Sequence, residues 1–201
     1  IAAAAVPPEV SGTARLAFQV HQSVFNNTAS SALSGVFLME EDFHSLLKDL
    51  LGSVPKRVKE EKGETPWGID FAPESPVWVE FIEDRVRLGI RARRFVRGDE
   101  THPGMAVIVT YIVRKTDEGI VLLREDAFDI TPLDFADRDE PRLSAKETTI
   151  KTLLQRRLEK LFEKTVIPEP LTFEGEWEKA GPLELTRLEA KDGWLIGEYD
   201  K

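Results

Sequence analysis

Residues 77–115 read VWVEFIEDRVRLGIRARRFVRGDETHPGMAVIVTYIVRK, and the fold turns on this stretch. Apolar and polar side chains alternate through its first half: Val86, Leu88, Ile90 and Ala92 fall on one side, and Arg85, Arg87, Arg91 and Arg93 on the other. A period of two is that of a half-buried β-strand. Runs 77–81 and 86–92, separated by Glu83 and Asp84, read as a β-hairpin. Residues 98–104 then read as a loop leading to a third strand over 105–115. A turn at 116–119 leads to a fourth strand over 120–130.

On the N-terminal side, Ala14, Leu16, Phe18 and Val20 alternate within an expected strand over 13–20. Residues 21–35 stay ambiguous between a short helix and a break at Asn26 and Asn27. Phe43, Leu46, Leu47, Leu50 and Leu51 recur at helical spacing behind acidic Glu40, Glu41 and Asp42, which predicts a helix ending near Gly52. On the C-terminal side, Ser144 and Glu147 have the spacing of a capping box. Ile150, Leu153, Leu154, Leu158, Leu161, Phe162 and Val166 follow at helical spacing, so one continuous helix is expected over 144–166, stopped by Pro168 and Pro170. Strands over 171–173 and 183–190, a Lys191-Asp192-Gly193 turn and a return through Trp194, Leu195 and Ile196 close the chain.

Strands that follow one another directly imply an antiparallel sheet. The expected class is α+β: a long curved antiparallel β-meander packed on or wrapped around a long C-terminal amphipathic helix. A single domain over residues 1–201 is expected, with a weak boundary in the 56–76 connection. The alanine-rich start, residues 1–6, reads as a frayed terminus ahead of Pro7 and Pro8.

Composition narrows the function classes. Asp and Glu number 36 against 27 Lys and Arg, for a net charge of -9. Such a field repels phosphate backbones, so nucleic acid is not an expected partner. The absence of cysteine removes thiolate metal sites, disulfides and cysteine nucleophiles. No run of about 18 apolar residues occurs, so no transmembrane segment is expected. His21, His44 and His102 are too scattered to draw a metal site. A nucleophile elbow and phosphate-cradling glycine loops are missing as well. Asp134, Asp137, Asp139 and Glu140 lack the glycine and closing glutamate of a calcium loop. Asn26-Asn27-Thr28 is a formal glycosylation sequon that carries no weight by itself. Neither catalysis nor a cofactor is expected.

Two features point to binding. Phe81, Leu88, Ile90, Val107, Val109, Tyr111, Leu154, Leu158 and Leu161 either fill a core or line an apolar groove between helix and sheet. Arg87, Arg91 and Arg93 either contact an anionic ligand or pair with acidic neighbours across the solvent face.

The order of elements resembles a known family. A meander of long strands, an amphipathic helix near the C-terminus, the exit Val166-Ile167-Pro168-Glu169-Pro170-Leu171 and a closing pair around Leu188-Glu189-Ala190-Lys191-Asp192-Gly193-Trp194-Leu195 look like small bacterial members of the tubular lipid-binding (TULIP) superfamily. That superfamily includes proteins like the bactericidal/permeability-increasing protein. The resemblance covers roughly residues 71–201 and rests on layout. It implies acyl chains held in an apolar tube, no chemistry, and an extracytoplasmic or periplasmic location. The sequence departs from the pattern in having no lipidation cysteine and a charged stretch over 174–179. The expected function is therefore non-enzymatic binding of a lipid or other apolar ligand. The alternative is a cell-envelope module that meets a protein partner and takes no small molecule.

Overall fold

In the computed structural model of this chain, residues 6–39, 42, 65–117 and 119–201 are described. The hairpin read from the alternation is present as β4 (Val77–Ile82) and β5 (Arg85–Arg97). Glu83 and Asp84 both take positive φ, 47° and 60°, the geometry of a two-residue turn that matches strand twist. Strand β5 runs on past the expected end. It turns at Gly98, whose φ of 58° suits glycine, straight into β6 (Glu100–Thr116). The expected 98–104 loop is thus a two-residue turn, and the ladder extends from Arg85↔Ile112 to Arg97↔Glu100.

The expected fourth strand is two. Strands β7 (Gly119–Arg124) and β8 (Asp129–Pro132) pair with successive parts of β6 on the same edge. On the far edge of β5, β4 and β3 (Trp67–Phe71) likewise share its length, and β2 (Phe37–Met39) pairs with β3. A two-residue β9 (Thr165–Val166) adds to β7, completing an eight-stranded sheet. A second sheet of three strands orders β1 (Leu16–His21), β11 (Trp194–Asp200) and β10 (Glu184–Lys191). Backbone bonds from Asp84 to the Ala190 carbonyl and from Gly193 to the Phe81 carbonyl, 2.8 and 2.9 Å, join the two sheets.

The expected α+β class with a long C-terminal helix is overturned. The fold is mostly β; its described α-helical segments of more than one turn are α1 (Gln22–Leu33, 12 residues) and α2 (Ala145–Leu161, 17 residues), beside short 3-10 turns at Phe135–Asp137 and Gly175–Ala180. The capping box of α2 is present, with Ser144 and Glu147 bonding each other's backbone N–H. Its C-terminus falls short of Val166 because the chain leaves the helix at Phe162. The Glu163 and Lys164 carbonyls then accept from the Tyr111 hydroxyl, 3.0 Å, and the Arg124 backbone N–H, 2.9 Å. Val166 pairs with Leu122 instead of extending the apolar stripe. Of the helix expected to begin near Met39 and end near Gly52, only Met39, which closes β2, and Asp42 are described, and the rest lies outside the described residues. Leu171 is held by a single bridge to Leu183, short of the expected strand.

The main core lies between α2 and one face of the eight-stranded sheet. Ile150, Leu154 and Leu158 from the helix meet Ala92, Phe95, Met105, Val107, Val109, Phe128 and Ile130. Helix α1, in the region left ambiguous, has no buried residue and lies along the open edge of β4. His21 caps it, its Nδ1 accepting the Ser23 N–H.

Candidate functional site

The expected groove is occupied by its own side chains. Val107, Val109, Leu154 and Leu158 are buried in the main core, with Ile90 and Tyr111 packed against it. Phe81 is buried elsewhere, edge-on to Phe25 of α1 at 6.0 Å, and Leu88 is half-buried. Leu161 is 42% exposed. The structure therefore brings six of these residues together as packed core and places Phe81, Leu88 and Leu161 apart from them.

The opposite face of the same sheet is open among the described residues. Register places its side chains in transverse rows. Trp78, Gly89, Ile108 and Asp129 form one; Glu80, Arg87 and Thr110 form the next; Ile82, Arg85, Ile112 and Leu123 form the third. Ile82 is 41% exposed and Leu123 is 38% exposed. Trp78 lies flat over Gly89, where an added Cβ would come within 2.0 Å of the indole. The Arg87 guanidinium sits 5.6 Å from the Trp78 ring centroid and bonds Glu80. Arg85 reaches Glu125 at 3.5 Å and Glu83 at 3.9 Å. A shallow cleft of about 310 Å³ opens on this face, lined by Arg85, Arg87, Ile108, Thr110, Glu125 and Asp129 among others.

The remaining arginines of the stripe are also engaged. Arg91 donates to the Glu74 carbonyl, 3.2 Å. Arg93 and Arg94 are adjacent, and an unbroken strand would send them to opposite faces. A register shift opposite Asp70 and Phe71 brings both onto the buried Asp70 carboxylate, at 2.6 and 2.8 Å. Arg87 and Arg93 thus hold carboxylates of this chain and Arg91 a carbonyl.

A second, polar cleft of about 490 Å³ lies where β10 and β11 approach β6 and β7, lined by Asp84, Val113, Lys115, Arg187, Leu188 and Glu198 among others. The Ser11 backbone N–H, 2.7 Å away, and Arg187 hold the Glu198 carboxyl below the ordinary carboxylate range despite its burial.

The other flagged residues have structural surroundings. His102 stacks on Trp67 at 6.4 Å with its Nε2 3.6 Å from Glu100, while His21 meets Trp194 edge-on; His44 lies outside the described residues. Asp134 is paired with Arg138 and Glu140 with Arg142. No group of three or more His, Asp or Glu among the described residues is placed to hold a metal. Asn26 spends its amide on β4, accepting from the Val79 N–H at 2.7 Å and donating to the Val79 carbonyl at 3.0 Å. No described helix is long and apolar enough to cross a membrane.

Sequence reasoning passed over Trp78, Ile82, Ile108, Ile112 and Leu123. The signal was in the run Met105 to Val113, apolar at nearly every position, a pattern of strands covered on both faces. No protein-family model, curated protein or solved structure matches this chain.

Proposed function

We propose that this chain is a non-catalytic interaction module whose open sheet face receives a protein partner. The observation that carries this reading is the mismatch on β6. Ile108 and Ile112 face away from the core, in rows with Trp78, Ile82 and Leu123, and no described element covers them. Apolar side chains gathered on one open face mark interaction surfaces. Arg85 and Arg87 already have carboxylate partners, so apolar contact supplies the affinity and the charges set the register of docking.

The experiment uses the whole chain as bait, with chemical cross-linking and mass spectrometry to map the contact. Cross-links from the partner should flank residues 78–87 and 108–125. Ile82→Glu with Leu123→Glu should abolish capture, while Glu159→Lys on α2 should leave it unchanged. Capture that survives the double substitution, or no captured partner at all, overturns the reading.

A further inference from the structure

Two opposite charges stand unpaired in the cleft between the two sheets. Asp84 lines it from the turn between β4 and β5, and Lys115 lines it from β6, both exposed. Among the described residues neither side chain has an ion-pair partner, the other included. The other two charged groups of the lining, Arg187 and Glu198, hold each other at 2.6 Å. The lining thus carries two carboxylates against two cations, a balance that favours neither a bare anion nor a bare cation.

Asp84 is also fixed in place. Its backbone N–H donates to the Ala190 carbonyl and its carbonyl accepts from the Val113 N–H, both at 2.8 Å, so the turn is tied to both sheets. Its φ is 60°, at the second central position of a two-residue turn, where glycine is the usual residue. Non-glycine residues held at positive φ cluster at ligand-binding sites. Beneath the charges lies an apolar floor: Val113 and Ile120, each 7% exposed, and half-buried Leu188. The volume of about 490 Å³ falls within the range of small-molecule sites.

We propose that this cleft binds a free α-amino acid with an apolar side chain. Its ammonium pairs with Asp84, its carboxylate with Lys115, and its side chain lies over Val113, Ile120 and Leu188. Such a ligand is bipolar and has no net charge, which matches the balanced lining. Strand alternation turns Val113 and Lys115 away from Ile108 and Ile112, so the site is separate from the face that receives a partner.

The test is titration of the nitrogen-15-labelled whole chain with L-leucine, followed by the amide resonances of Asp84, Val113, Lys115 and Leu188. Leucinamide, which keeps only the ammonium, and N-acetyl-leucine, which keeps only the carboxylate, are the two control ligands. Native protein should show saturable shifts with leucine and bind each control at least about tenfold more weakly. Asp84→Asn keeps a residue that tolerates positive φ, so the turn should survive. This variant should bind leucine at least about tenfold more weakly than native and no longer tell it from N-acetyl-leucine. Lys115→Met, at an exposed position, should likewise no longer tell leucine from leucinamide. Native protein without a saturable response to leucine overturns the proposal. So do control ligands that bind as tightly as leucine, or variants that keep the native discrimination.

Discussion

Arg138 grips Glu147 through two nitrogens, Nη2 at 2.5 Å from Oε1 and Nη1 at 3.2 Å from Oε2. Glu147 is also the acidic member of the capping box of α2, and its Oε2 accepts the Ser144 N–H at 2.7 Å. The Arg138 bonds, then the Ser144 N–H, bring its carboxyl from the ordinary 4.5 down to about 2. A carboxyl whose pKa is lower folded than unfolded contributes stability above the unfolded value and loses it as pH falls through the folded one. Stability should therefore drop between about pH 5 and about pH 2, and Glu147→Gln should flatten that part of the profile. Urea midpoints of the two proteins across this window check it, their difference shrinking as pH falls.

Leu158 and Leu161 lie three residues apart on α2, one 6% and the other 42% exposed. Leu158→Ala should cost about 2 to 5 kcal/mol as a buried leucine. Leu161→Ala should stay within about 0.5 kcal/mol. Equal losses in chemical denaturation would place the helix differently.

Val109 is one of the residues whose pattern allowed either a filled core or an apolar groove. It is 1% exposed and packed within the core cluster. Val109→Trp should accordingly destabilise the fold by about 1 to 3 kcal/mol or more through overpacking. A thermal midpoint equal to the native one would show unfilled space beside it.

Asn26 satisfies both backbone groups of Val79 on the open edge of β4. Asn26→Ala should cost about 1 to 3 kcal/mol, because it leaves an edge donor and acceptor unmet. Exposed strand edges template association, so light scattering on storage should rise in this variant. The same bonds make Asn26 a poor glycan acceptor in the folded chain.

What the sequence made legible was short-range. The Glu83-Asp84 and Asp192-Gly193 turns and the Ser144/Glu147 cap follow from residues two or three apart. The Gly98 turn was hidden because Pro103 and Gly104 look like loop residues, yet Pro103 sits within β6 opposite Arg94. The helix was read too long because Phe162 and Val166 continue its spacing. Phe162 instead closes on Phe128 at 6.3 Å from the C-cap, and Val166 joins a strand. The open face was illegible for a different reason. Its rows join Ile82, Ile112 and Leu123 from three strands, and only pairing register sets them side by side.

The two-residue connection at Gly98 bears on the order of assembly. The β5 and β6 ladder closes from Arg97↔Glu100 outward, each new pair enclosing two more residues, so its loop-closure entropy is met in small steps. The pairing of β1 with β11 joins residues as distant in sequence as Leu16 and Tyr199. Contacts of such range form slowly. The long hairpin is thereby a natural folding nucleus, and while β10 and β11 close locally from Lys191↔Trp194, β1 completes their sheet only once two distant segments have met.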